Sequence, residues 1–239
     1  MPTLRYPYSV LLAVLVASSG LAGTARGQST LGPPAKDNLD LPFNALPPAG
    51  AREEEAPEVV VFNGQVFEAN AVVFCIDRSM SLAGGEWETL QKELLRAIGD
   101  FSATVEFGFV FFHSETTVYP ESKVPYRASA EGKQSAIQQV LATAPSTGST
   151  CIRPALRAAV DMTQRSRTRH KRILLLSDGK PTCTGADTVT YVQETLKELR
   201  TINTEKTPID TVAVGFEVVE SFLKSLASES GGEYRRARG

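Results

Sequence analysis

The sequence predicts an α/β fold: a doubly wound, mostly parallel six-stranded sheet with helices on both faces, preceded by a small hairpin. Three observations predict it. Short apolar runs alternate with longer amphipathic runs from residue 71 to residue 236, and that alternation builds parallel sheets through crossover helices. Residues 71–76 are apolar at successive positions, as in a strand covered on both faces. Two such runs end in an acid, Asp77 and Asp178. In sheets of this kind, ligands bind beyond the carboxyl ends of strands where strand order reverses.

The elements follow in order. Residues 59–62 and 65–68 flank Asn63-Gly64, a hairpin turn signal. Residues 71–76 form the first core strand. Residues 86–101 place Leu90, Leu94, Ala97, Ile98 and Phe101 on one helical face, with Trp87 in the first turn. Strands follow at 106–112 and 116–119, the second at an edge. Residues 133–142 and 153–165 are helical, and 172–177 is a central strand. Residues 188–203 form an amphipathic helix through Val189, Val192, Leu196, Leu199 and Ile202. A strand at 209–216, a helix at 220–228 and a terminal strand at 232–236 complete the series.

The chain has 239 residues, 42% of them hydrophobic, which suits one packed domain plus tails. Its net charge is −2 with no basic block, which argues against nucleic acid as a partner. Arg5, the apolar stretch 10–16 and the small residues up to Gly27 have the layout of a secretory signal peptide. The apolar stretch is short for a membrane span; the alternative is an uncleaved N-terminal anchor. Cleavage after Gly27 removes Arg5 and Arg26 but no acid, so the mature chain is more acidic. Residues 28–57 carry Gly32-Pro33-Pro34, Pro47-Pro48 and Arg52-Glu53-Glu54-Glu55, a composition that reads as a flexible linker. The domain is then 58–239, in a secreted, extracellular or periplasmic protein with no transmembrane helix after cleavage.

Three motifs carry chemistry. Asp77-Arg78-Ser79-Met80-Ser81 puts oxygen side chains on alternate residues at a strand end. A hard divalent cation such as Mg2+ favours a compact all-oxygen cluster of that kind. Gly148-Ser149-Thr150 precedes a helix, and Ser177-Asp178-Gly179 ends an apolar strand. Two of the motifs also have a purely structural reading: Ser79 and Ser81 as caps of the following helix, and Asp178-Gly179 as an ordinary turn.

Taken together and in this order, the three motifs resemble the von Willebrand factor A family, which includes the inserted domains of integrins. The resemblance covers about residues 58–236. All of the family's metal-ion-dependent adhesion site positions have a match: Asp77, Ser79, Ser81, Thr150 and Asp178. It implies that the hydroxyls touch the metal directly and that the carboxylates often act through water. It also implies that a partner's Glu or Asp completes the coordination, so that the domain adheres rather than catalyses. Mg2+ is the implied ion, with Mn2+ or Ca2+ as alternatives. Two other functions fit the same crevice: a metal-assisted hydrolase, or a structural subunit whose metal only stabilises loops.

There are three cysteines. Cys75 reads as a small buried hydrophobe. If the metal site forms, Cys151 and Cys183 lie on neighbouring loops and can form a disulfide in an oxidising compartment; the resemblance says nothing about such a bridge. Gly179-Lys180-Pro181-Thr182 lacks the upstream glycine spacing of a phosphate loop. No His-Glu-x-x-His or Gly-x-Ser-x-Gly occurs. His113 and His170 read as surface polar residues. The basic run Arg165, Arg167, Arg169, Lys171 and Arg172 reads as a solvated helix end.

Overall fold

The computed structural model describes residues 56–183 and 187–237. The expected signal peptide and nearly all of the expected linker lie outside the described residues. β1 (Val59–Phe62) and β2 (Gln65–Glu68) form an antiparallel hairpin. Asn63 and Gly64 turn it with φ of 49° and 69°, the left-handed conformation that those residues tolerate in tight hairpins. The hairpin buries Val60, Phe62 and Phe67, and the Phe62 ring lies 5.3 Å from that of Phe74.

The main sheet contains β3 (Ala71–Asp77), β4 (Glu106–Phe112), β5 (Thr116–Tyr119), β6 (Tyr126–Arg127), β7 (Lys171–Ser177), β8 (Ile209–Ala213) and β9 (Tyr234–Arg236). Its order is β5-β4-β3-β7-β8-β9, with β6 also paired to β4. The six expected strands form that path. The two-residue β6 is a seventh strand, too short to show a period in sequence. β5 and β6 run antiparallel to β4 and the other pairings are parallel.

Five α-helices among the described residues cover the sheet: α1 (Gly85–Asp100), α2 (Ala130–Ala142), α3 (Ile152–Arg165), α4 (Thr188–Ile202) and α5 (Glu220–Ser230). Side chains alternate across β3, so Val72, Phe74 and Ile76 enter one core while Val73 and Cys75 enter the other. The first core is roofed by α1, α2 and the hairpin, the second by α3, α4 and α5. No helix among the described residues is long and apolar enough to cross a membrane.

Among the differences from the sequence reading are two boundaries and one buried face. α2 starts at Ala130, because the Ser129 hydroxyl accepts the Gly132 N–H and caps the helix. β8 stops at Ala213, although the Val214 N–H still reaches the Ser177 carbonyl, and the chain then turns outward. α4 buries Tyr191, Thr195, Leu196 and Leu199, whereas Val189 is 71% exposed. The Asp187 side chain caps α4 at Thr190 and leaves Val189 in the solvent-facing first turn.

Candidate metal centre

Winding runs from β3 through β4 to β5 on one side, then resumes at β7 on the other. The switch therefore lies between β3 and β7, whose register pairs Ile76 with Leu176. Asp77 and Ser177 are the next residues on each strand. The Ser177 hydroxyl donates to Asp77 Oδ2 at 2.8 Å, and the Ser79 N–H donates to Asp77 Oδ1 at 2.9 Å. These bonds fix both carboxylate oxygens.

The chain after Asp77 forms a short 3-10 turn at Met80–Leu82, with the Ser79 and Ser81 hydroxyls 2.8 Å apart. Neither serine caps α1: its N-cap is Gly84 and no side chain caps it. The capping alternative for these serines therefore fails. The turn alternative for Asp178 holds in part. Asp178 Oδ1 accepts the Lys180 N–H at 2.9 Å, and Gly179 has φ of 72°, which favours glycine. A Cβ there would also meet Leu223 and the Val219 carbonyl at 2.9 Å.

Thr150 reaches the same edge on its own loop. Its N–H donates to Thr182 Oγ1 at 2.8 Å, and the Thr182 N–H donates back to the Thr150 carbonyl at 3.2 Å. Cys151 and Cys183 are disulfide-bonded with Cα atoms 4.8 Å apart. The Thr150 loop is thus tied to the segment that follows Asp178. On its other side, the Cys151 N–H donates to the His113 carbonyl at 3.0 Å and the Ser149 N–H to Ser114 Oγ at 2.8 Å. Gly148 makes this approach possible, because a Cβ there would lie 2.3 Å from Ser114 Oγ.

Asp77 and Asp178 are 0% and 4% exposed. Burial pushes the Asp77 carboxyl up to about 6; hydrogen bonds from Ser79 and Ser177 oppose the rise, and the charge of nearby Asp178 adds to it. The ion pairs among the described residues include neither acid. Lys180, two residues after Asp178, is paired with Glu217 instead. No three His, Cys, Asp or Glu side chains cluster as a metal cage among the described residues. The five residues singled out in the sequence are of another kind: two carboxylates and three hydroxyls. They suit a hard cation that keeps part of its water shell.

Several residues that shape this edge carried no role in the sequence reading. Ser177 orients Asp77, Thr182 holds the Thr150 backbone, and His113 and Ser114 brace the loop before it. His113 corrects the surface reading: it is 8% exposed, its Nδ1 accepts the Ser114 N–H at 2.6 Å, and burial and the Arg78 charge lower its pKa. Cys75 is buried and free. The basic run is partly neutralised, with Arg165, Lys171 and Arg172 paired to Asp161, Glu205 and Asp210.

The fold and these loops define a class: a doubly wound α/β domain whose oxygen-bearing residues gather at the carboxyl ends of two neighbouring parallel strands. The von Willebrand factor type A domain model matches residues 71–237, and the chain belongs to that family. It is 30% identical over 172 residues to inter-alpha-trypsin inhibitor heavy chain H4 of Homo sapiens, covering 69% of this chain and 18% of that protein. The chain thus spans under a fifth of that relative's length. A von Willebrand factor type A protein from Catenulispora acidiphila superposes with a TM-score of 0.59 at 20% identity, covering 73% of this chain and 40% of that one. Proximal thread matrix protein 1 from the mussel byssus, with a zinc-occupied MIDAS motif, gives 0.53 at 19% identity, covering 75% and 43%. Domains of this family generally act as protein-interaction modules.

Proposed function

We propose that this domain captures an acidic group of a protein partner through a divalent cation held by Asp77, Ser79, Ser81, Thr150 and Asp178. One observation carries the reading: two neighbouring buried carboxylates, beside paired hydroxyls, have no ion-pair partner among the described residues. Unpaired buried charges are costly, and a metal is one of the few ways to satisfy them.

A bound cation would supply the missing positive charge and an open position for a carboxylate. The protein's own residues do the rest. Ser177 and the Ser79 N–H hold Asp77 in one orientation, and the Lys180 N–H holds Asp178. Neutral hydroxyls from Ser79, Ser81 and Thr150 add donors without adding charge, which leaves the site receptive to an incoming anion. Mg2+ suits the oxygen-only set, and Mn2+ or Ca2+ can use the same donors. The zinc at the MIDAS motif of the mussel byssus protein supports divalent binding on loops of this fold.

We assign no catalytic residue. Export directed by residues 1–27, with residues 28–57 as a spacer, would place the domain in an oxidising compartment suited to its disulfide. The reading is tested by titrating Mg2+ calorimetrically into the EDTA-stripped protein and its Asp77→Ala variant. Saturable one-site binding, lost in the variant, is expected. An absence of heat in both proteins would overturn the reading.

A further inference from the structure

The α1 side of the sheet is unevenly covered. α1, α2 and the hairpin roof its centre, but an open cavity of about 570 Å3 remains between α1 and the ends of β8 and β9. That volume is within the range of ligand pockets. Its walls include Phe62, Leu90, Leu176, Val212 and Val214, all side chains of the first core.

The cavity shares a wall with the candidate metal centre. Gly215 lines it, and a Cβ on Gly215 would lie 3.4 Å from Leu82 and 4.0 Å from the Asp178 Cβ. The loop after β8 therefore has Asp178 on one side and the cavity on the other. Two large apolar side chains stand out on this edge: Met80, 52% exposed in the Ser79–Ser81 turn, and Phe216, 90% exposed at the cavity. Exposed aromatic and methionine side chains at the rim of a desolvated pocket are a mark of protein-binding surfaces.

We propose that this cavity is the apolar anchor pocket for the same partner, whose binding segment carries a carboxylate close to a large apolar side chain. The carboxylate goes to the cation site and the apolar side chain enters the cavity beside Phe216. Charge fixes that assignment. Glu86 lies on the α1 wall and repels a carboxylate, Glu93 beside it is paired with Arg96, and Arg236 on the far wall is engaged by Glu220, so the cavity offers a carboxylate no unpaired cation among its lining residues. The inference rests on the metal-dependent reading above.

The test compares two ligand series on the 15N-labelled protein with saturating Mg2+, followed by amide shifts. One series is the straight-chain alkanoates from acetate to hexanoate; the other is the phenyl-terminated alkanoates of the same lengths. At the length that spans Gly215, the phenyl group should tighten binding by about tenfold or more, as ring burial allows. The amides of Leu90, Val212 and Val214 should then shift. Thr89→Trp, on the exposed face of α1 at the cavity, should remove the phenyl increment and leave alkanoate binding unchanged. Alkanoate binding with no phenyl increment at any length would overturn this inference and leave the metal reading intact. No alkanoate binding would defeat the metal reading and the inference with it. Equal phenylalkanoate affinity without Mg2+ would refute the coupling of the two sites.

Discussion

The Ser177 hydroxyl donates to Asp77 Oδ2 at 2.8 Å across the two parallel strands where the sheet reverses its winding. Ser177 also accepts the Gly179 N–H at 3.0 Å, so one hydroxyl orients the first acid and shapes the turn that carries the second. Ser177→Ala should lower Mg2+ affinity by about tenfold, as loss of outer-shell support does at other metal sites. It should cost about 2 kcal/mol of stability through the lost bonds to buried groups. Calorimetry and urea unfolding measure the two effects; wild-type affinity in the variant would remove Ser177 from the positioning role.

The raised Asp77 carboxyl has a consequence for the cation-free protein. Folded, it keeps its proton up to about pH 6, whereas its ordinary value is 3.8. The folded state therefore binds more protons than the unfolded state between those values, and stability falls as pH rises through that window. The shift corresponds to about 3 kcal/mol at most. Other carboxylates slope the opposite way, so the informative quantity is wild type minus Asp77→Asn. That difference in unfolding free energy should decline from pH 4 to pH 7 in EDTA; a flat difference would contradict the burial-driven shift.

The Cys151–Cys183 bridge closes a loop with a sequence separation of 32. The double variant Cys151→Ala, Cys183→Ala should lose about 3–4 kcal/mol in urea unfolding by the chain-entropy account. Because Cys151 adjoins Thr150, Mg2+ affinity should weaken as well. Stability loss with unchanged affinity would show that the reciprocal Thr150–Thr182 hydrogen bonds suffice to place the loop.

Asp210 offers a contrast at the opposite end of the sheet. It is 1% exposed, accepts Arg172 Nη1 on both oxygens at 3.0 and 2.9 Å, and accepts the Glu233 N–H at 2.8 Å. Arg172 pairs in register with Val72, at the start of β3, roughly 17 Å along the strand from Asp77 at the usual rise. Asp210→Ala should cost about 3 kcal/mol by stranding a partly buried guanidinium, yet leave Mg2+ binding unchanged. A matching loss of affinity would mean that global destabilisation alone perturbs the site, and the Ser177 result would need the same correction.

Local pattern made much of the fold legible. Asn63-Gly64 marked the hairpin because only certain residues adopt its left-handed turn. The unbroken apolar run of β3 marked a strand covered on both faces. The helices showed themselves through residues spaced along one face, and the cap at Ser129 explains why α2 begins earlier than its apolar period. β6 left no trace, since its pairing with β4 is a tertiary event and two residues carry no period. Val189 misled for a related reason: it fits the helical period of α4, but the capped first turn faces water.

The candidate site divides along the same line. The sequence by itself determined the donor types and their places at strand ends, because residue chemistry and local turn geometry are short-range properties. It also held the three-motif order by which the family was legible. Only the tertiary structure decided that β3 and β7 are neighbours, that Ser177 engages Asp77 while Ser79 and Ser81 leave α1 uncapped, and that His113 is buried beside the Thr150 loop. It alone decided that both acids lie out of water with no ion-pair partner among the described residues, near an open apolar cavity. These are consequences of long-range strand pairing and burial, which depend on residues up to 100 positions apart, as Asp77 and Ser177 are, and no local pattern encodes them.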